Sequence, residues 1–158
     1  MTEPMIRLLV ADDHPIVRDG LAAVPGTQPD LQVVGAAGDG EEALRLVAAL
    51  RPDVLLLDLE MPGIDGVGVL RRLQADGDLT PAIVFTAFDT DERIVEAVRA
   101  GARGYLLKGA PRAELFAAIR IVYGGGSLLQ PLIASKLIAQ MQGPPAPSAN
   151  QALVEPLT

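Results

Sequence analysis

The chain has no cysteine and no tryptophan, a single histidine (His14) and only 3% aromatic residues. Without cysteine there is no disulfide framework and no thiolate metal site, and nothing in the composition points outside the cytoplasm. One histidine excludes the histidine-rich zinc constellations. No apolar run approaches the roughly 18 residues that would suggest a membrane span, and Met1-Thr2-Glu3 lacks the basic start of a signal peptide. Positive charge is also scarce. The 13 basic residues are outnumbered by 20 acidic ones, for a net charge of -7, which argues against direct nucleic-acid binding by this segment. A partner with a basic or helical docking face fits better.

What is present is a core's worth of apolar residues, 49% of 158 positions, enough for one well-buried domain of about 120 residues and a tail. The most informative stretch is RPDVLLLDLEMPGIDG, residues 51–66. Val54 to Leu57 form a wholly apolar run that ends in Asp58, and the Met61-Pro62-Gly63 break precedes a helix starting near Asp65. A continuous apolar run suits the central strand of a parallel sheet covered on both faces. Its terminal carboxylate then emerges at the carboxyl edge, where open α/β sheets place their chemistry.

Similar units recur along the chain. Ile6 to Ala11 is a β-rich run ending in Asp12-Asp13, and Pro15 opens a helix that runs to Val24 and is stopped by Pro25-Gly26. Leu31 to Ala36 reads as a second strand, followed by a helix with an acidic start at Glu41-Glu42 and an end at Arg51-Pro52; Asp39-Gly40 reads as a turn. Val67, Leu70 and Leu73 mark the third helix, with Asp65 as a candidate cap and Gly66 permitting close packing at its start. A strand from Ala82 to Phe85 ends at Thr86, a helix runs from about Asp89 to Ala100, a strand from Gly104 to Leu107 precedes Lys108, and Pro111 opens a fifth helix. Five strands alternating with five helices over short connections define an α/β fold, a doubly wound parallel sheet. After Tyr123, Pro131 to Met141 could form a short amphipathic helix with Leu132, Lys136-Leu137 and Gln140 at one-turn spacing. The rest is rich in Pro, Ala and Ser and reads as an extended linker.

On this reading Asp12-Asp13, Asp58, Thr86 and Lys108 all fall at the carboxyl ends of strands. Crowded carboxylates repel one another, and a hard divalent cation such as Mg2+ relieves this by taking oxygen ligands. Any one aspartate after a strand is an ordinary cap or turn residue, Thr86 alone an ordinary strand-end residue and Lys108 alone an ordinary solvated cation. Their coincidence at one edge is what suggests a phosphoryl-acceptor site with Asp58 as the in-line nucleophile. His14 is assigned to the loop entering the first helix, since such a site needs no imidazole. Met61-Pro62 shapes the loop after Asp58, because the residue before a proline is held extended. Tyr105 alone reads as a partly buried aromatic.

Taken together, Asp12-Asp13, Asp58 with Met61-Pro62 and Gly66, Thr86-Ala87, and Lys108 preceded by Gly104-Tyr105 resemble the receiver domain of bacterial two-component response regulators. The stretches DDHPIVRDGL, GARGYLLKGAPRAELFAAIR and GGSLLQP resemble the NarL/FixJ class, and the likeness covers about residues 5–130. The resemblance implies a (βα)5 five-stranded parallel sheet in the order 2-1-3-4-5. It divides the chain into a receiver at 1–125, a short linker helix at 126–142 and a flexible Pro/Ala-rich interdomain linker at 143–158. Asp58 would accept a phosphoryl group from a sensor histidine kinase. Asp13, Asp58 and the backbone carbonyl of Glu60 would hold Mg2+, with Asp12 acting through a water, while Thr86 and Lys108 would hold the phosphoryl oxygens. Tyr105 would follow Thr86 between inward and outward rotamers and repack the face of helix four, strand five and helix five.

Glu60 and Phe88 occupy positions that in the family influence aspartyl phosphate lifetime. Gly109 departs from an acidic residue common there. The class typically dimerises on phosphorylation, through helices one and five or through the helix four to helix five face. It carries a helix-turn-helix domain after the linker that often opens with Leu-Thr. The chain ends at Leu157-Thr158, where that domain would begin, so DNA would be read only by that absent part. An aspartate-nucleophile phosphatase of the haloacid dehalogenase type would want D-x-D-x-T where this chain has Asp12-Asp13-His14-Pro15-Ile16. A flavodoxin-like carrier would want a Ser/Thr-rich phosphate loop there. A receiver acting as a phosphorylation-independent interaction module is the remaining alternative.

Overall fold

A computed structural model describes residues 5–22, 27–87, 90–129 and 131–142. The helix stop expected at Pro25-Gly26, Val24, Phe88, Asp89 and the linker 143–158 with Leu157-Thr158 lie outside the described residues, as do the side chains of Leu132 and Met141.

The chain alternates strand and helix: β1 (Ile6–Ala11), α1 (Pro15–Ala22), β2 (Leu31–Ala37), α2 (Gly40–Leu50), β3 (Val54–Leu57), α3 (Gly66–Ala75), β4 (Ala82–Thr86), α4 (Asp91–Arg99), β5 (Gly104–Leu107) and α5 (Arg112–Tyr123). Two further elements follow, β6 (Leu128–Leu129) and α6 (Pro131–Gln142). The sheet order is β2-β1-β3-β4-β5-β6, with every pairing parallel. The expected order of the first five strands holds, and the strand count is corrected from five to six. Leu128 and Leu129 pair with Gly104 and Tyr105, so the segment assigned to a linker helix from residue 126 begins as a sheet edge, and the helix starts at Pro131, where the residue spacing placed it.

Because strand side chains alternate between faces, each central strand feeds two cores. Leu9, Ala11, Leu55, Leu57, Ala82, Val84 and Tyr105 share one buried cluster with residues of α2, α3 and α4, such as Val47, Leu70 and Ile94. Leu8, Val10, Val54, Leu56, Ile83 and Leu106 share the other with Leu21 of α1 and Leu115, Ile119 and Val122 of α5. Burial on both sides is why these strands read as unbroken apolar runs.

Local chemistry sets the helix ends. Asp39 is the N-cap of α2, accepting from the Glu42 N–H at 2.8 Å, while the Glu42 carboxylate accepts from the Gly38 N–H; the pair expected as a plain turn is a cap. Asp65 caps α3 through the Gly68 N–H, also at 2.8 Å. Arg51 ends α2 in the left-handed region at φ 48°. The Arg7 guanidinium satisfies the carbonyls of Leu50 and Arg51 there, partners that helix ends otherwise lack. α6 packs on α4. Its fully buried Ile133 joins the cluster containing Tyr105 and Ile94, with Leu129 and Leu137 packed against it. Lys136 and Gln140 both reach Asp91 of α4.

Candidate functional site

The ladder hydrogen bonds continue one residue past three strands and thereby fix the backbone of the site. Asp12 N–H donates to the Ala37 carbonyl, Asp58 N–H to Ala11 and Lys108 N–H to Thr86, at 2.8–2.9 Å. The chain runs from β1 outward to β2 on one side, while β3 lies on the other side of β1. Asp12 and Asp58 therefore flank the point where the strand order reverses, the position at which doubly wound sheets form a crevice.

Asp12 and Asp58 are buried, their side chains 3% exposed, and Thr86 is fully buried. Each oxygen of Asp58 is engaged. Oδ1 accepts from the Thr86 hydroxyl at 2.8 Å and, more weakly, from the Glu60 N–H at 3.3 Å; Oδ2 accepts from Lys108 Nζ at 2.9 Å. Lys108 Nζ also lies 2.7 Å from Asp12 Oδ2, so one ammonium bridges two buried carboxylates. Such charges are tolerable inside a protein only when paired and hydrogen-bonded. Asp13 is more open, and its carboxylate joins Asp12, Asp58 and His14 in a group whose ligand atoms all lie within 4.8 Å of one another. Three hard carboxylates around one point suit a divalent cation such as Mg2+.

The five residues expected at the strand ends are thus together. Glu60 stands beside them by its N–H, but its carboxylate turns away to pair with Arg93 of α4, which also lies 3.9 Å from Asp65. Tyr105 is fully buried in β5, paired in register with Val84 of β4, two residues before Thr86. Met61 is buried and Pro62 exposed in the loop after Asp58. Gly66 lies so close beneath that loop that a Cβ there would be 2.5 Å from the Asp58 carbonyl oxygen.

Sequence reading left His14 out of the site, and the structure corrects this. Its Nδ1 is 2.9 Å from Asp12 and 3.1 Å from Asp13, and its backbone N–H donates to the same Asp12 oxygen. Arg18, also unanticipated, donates to the Asp12 carbonyl at 3.0 Å. His14 follows the acidic pair directly, so proximity in sequence was the available signal. Arg18 gives only its spacing of six residues from Asp12, in the first turn of α1.

Burial is the largest single influence on Lys108 and pulls its ammonium toward deprotonation, but the hydrogen bonds and charges of Asp12 and Asp58 together outweigh it, so its pKa lies above the ordinary lysine value of 10.5. A raised lysine contributes stability that is complete below the unfolded value and is lost as pH rises through the folded one. Lys108→Met is therefore expected to destabilise the protein at pH 8 by roughly 3 kcal/mol, the scale for stranding a buried partner. The difference from wild type should shrink above about pH 10.5. Denaturant titration of both proteins at pH 8 and 11 checks this; a difference independent of pH would sink it.

The chain is similar to known proteins. The sequence profile of the response regulator receiver domain matches residues 8–120. The transcriptional regulatory protein LiaR of Bacillus subtilis is 41% identical over 138 residues, covering 87% of this chain and 65% of LiaR. The DNA-binding transcriptional activator DevR/DosR of Mycobacterium tuberculosis is 37% identical over 139 residues, 88% of this chain and 64% of that protein. The chain thus spans just under two-thirds of the length of these relatives. Among solved structures, a LuxR-family two-component response regulator from Aurantimonas sp. SI85-9A1 superposes with a TM-score of 0.80 at 34% identity, over 87% of this chain and 99% of that one. No helix among the described residues is long and apolar enough to cross a membrane. The sheet order, the acidic crevice at its switch point and these matches lead to one conclusion: the chain belongs to the response regulator receiver domain family, with relatives of the LuxR/NarL type.

Proposed function

We propose that Asp58 is the phosphoacceptor of a signalling switch, rather than part of an enzyme that turns over an external substrate. The observation that carries this reading is the grip on the Asp58 carboxylate, held by Thr86 on one oxygen and Lys108 on the other beside the open Asp13. In the transfer, an Asp58 oxygen attacks the phosphorus of a sensor-kinase phosphohistidine. The P–O bond forms as the P–N bond breaks, and the electron pair leaves on the imidazole nitrogen, which is protonated from solvent. Thr86 and Lys108 exchange their hold on Asp58 for the phosphoryl oxygens, stabilising charge where it develops. Asp13, Asp58 and the Glu60 carbonyl would hold Mg2+, with Asp12 behind them, and the ion would supply further neutralisation of charge on those oxygens.

The output is a population shift. Thr86 moving toward the phosphoryl group alters the space beside Tyr105, whose rotamer repacks α4, β5 and α5. Met61, Pro62 and Gly66 shape the loop that carries Asp58 into the crevice. The signal passes through the linker to a helix-turn-helix domain, and DNA is bound by that domain alone. Dimerisation accompanies phosphorylation. α6 already lies on α4, which favours α1 and α5 as the dimer face; there Ile16 is 86% exposed beside a groove lined by Val17, Phe85, Leu115 and Phe116.

The test is to incubate the chain with acetyl phosphate and Mg2+, reduce any acyl phosphate with borohydride and map the peptides. Conversion of Asp58 to homoserine is the expected result. Modification at another carboxylate would relocate the acceptor, and none in the folded chain would move the reading to a phosphorylation-independent interaction module.

A further inference from the structure

The acidic crevice has a fourth wall that the phosphoacceptor reading does not use. His14 places Nδ1 at 2.9 Å from Asp12 Oδ1, 3.1 Å from Asp13 Oδ1 and 4.0 Å from Asp58 Oδ2. In an octahedral site with bonds of about 2.1 Å, adjacent ligand atoms are ~3.0 Å apart and opposite ones ~4.2 Å. The imidazole nitrogen therefore stands at neighbouring-ligand distance from Asp13 Oδ1 and at nearly opposite-ligand distance from Asp58 Oδ2, beside Asp12, which stands behind those ligands. It is held there by the backbone: the His14 N–H donates to Asp12 Oδ1 at 2.9 Å, and the His14 carbonyl accepts from the Val17 and Arg18 N–H groups in the first turn of α1. With the side chain 63% exposed, the ring can carry its proton on Nε2 at the water side and present a bare Nδ1 inward.

We infer that His14 is a nitrogen ligand of the cation site and shifts its preference from Mg2+ toward borderline divalent transition ions, the Mn2+ to Zn2+ series. This rests on the reading of Asp12, Asp13 and Asp58 as a divalent-cation site. An all-oxygen set suits Mg2+, which retains water and gains little from imidazole; one nitrogen among the oxygens strengthens binding along the series Mn2+, Co2+, Ni2+. The rival account is that Nδ1–H donates to the carboxylates as an ordinary hydrogen bond and ligates nothing.

The experiment is titration of the folded chain with Mg2+ and with Co2+, alongside pulsed EPR of the Mn2+-loaded protein, for wild type, His14→Ala, His14→Gln and Asp13→Asn. The exposed His14 side chain makes the first two variants safe for folding, which circular dichroism verifies. In the wild type, Mn2+ is expected to show the modulation of a directly bound nitrogen, absent from both His14 variants. His14→Ala should weaken Co2+ at least about tenfold, the scale on which even outer-shell partners of metal ligands act, with little change for Mg2+. Asp13→Asn should weaken both ions. If wild type lacks the nitrogen signal, or His14→Ala weakens both ions equally, the inference falls, while loss of Mg2+ binding in Asp13→Asn would leave the cation site standing. If the wild type binds none of the ions, both fall together.

Discussion

Asp58→Ala is expected to take up no phosphoryl group under conditions in which the wild type gains one, and to unfold at no lower a temperature. The first half follows from the geometry, since Asp12 is buried with both oxygens engaged, while a hydroxyl and an ammonium grip Asp58. The second half is an electrostatic argument. Three carboxylates crowd within 4.8 Å and one ammonium serves two of them. Two unit charges at about 4 Å repel by roughly 4 kcal/mol at an effective dielectric near 20, and a buried carboxylate also carries several kcal/mol of desolvation. Against these, alanine forfeits the Thr86 hydrogen bond and one of two Lys108 contacts, each worth about 1.5–3 kcal/mol. Intact mass after acetyl phosphate treatment, paired with a thermal melt, checks both halves. Phosphoryl uptake by the variant would relocate the acceptor, and a large drop in Tm would show Asp58 to be structural.

Gly66→Ala is expected to cost roughly 3 kcal/mol, the upper end for overpacking a filled site, and to slow phosphoryl acceptance as well. The added methyl would lie 2.5 Å from the Asp58 carbonyl oxygen and 2.7 Å from Leu59 Cα. Both are backbone atoms, so no side-chain rotation relieves the clash; the loop bearing the acceptor must shift relative to α3. Gly109→Ala makes the contrast. Nothing lies within 4 Å of its Cβ and its φ is not in the left-handed region, so alanine there should be neutral or stabilising by about 0.5 kcal/mol through a less entropic unfolded chain. Chemical denaturation of the two variants side by side measures the difference. Equal stabilities would mean that the loop after Asp58 is looser than its packing indicates.

The strand ends were legible because the physics that builds a parallel sheet leaves a plain mark. Val54 to Leu57 must be apolar on both faces, so the first charged residue, Asp58, announces the edge; Thr86 and Lys108 are announced in the same way. Gly66 was readable as a packing position, and Asp65 as a cap. Asp39 was read as part of a turn because Asp-Gly suits turns and caps alike, and only the reciprocal bonds to Glu42 and Gly38 distinguish them. β6 has two residues, too few for alternation to show, and exists because β5 offers it a partner. Ile133, the buried anchor of α6, was passed over for its neighbours because periodicity in so short a helix does not say which face meets α4. The ring of His14 enters the site through a turn geometry that no spacing records, and the pairing of Arg93 with Glu60 joins residues 33 apart.

The two residues of β6 also bear on how molecules of this chain meet one another. Without them the sheet would finish at β5, four residues reading Gly-Tyr-Leu-Leu whose outer N–H and C=O groups would stand unpaired, a template onto which a strand from another molecule could add. Pairing β5 with so short a strand, and anchoring the next helix on α4 by Ile133, leaves an edge too brief to propagate. The segment after α5 thus protects this edge of the sheet, opposite β2, against strand addition, whatever else it transmits.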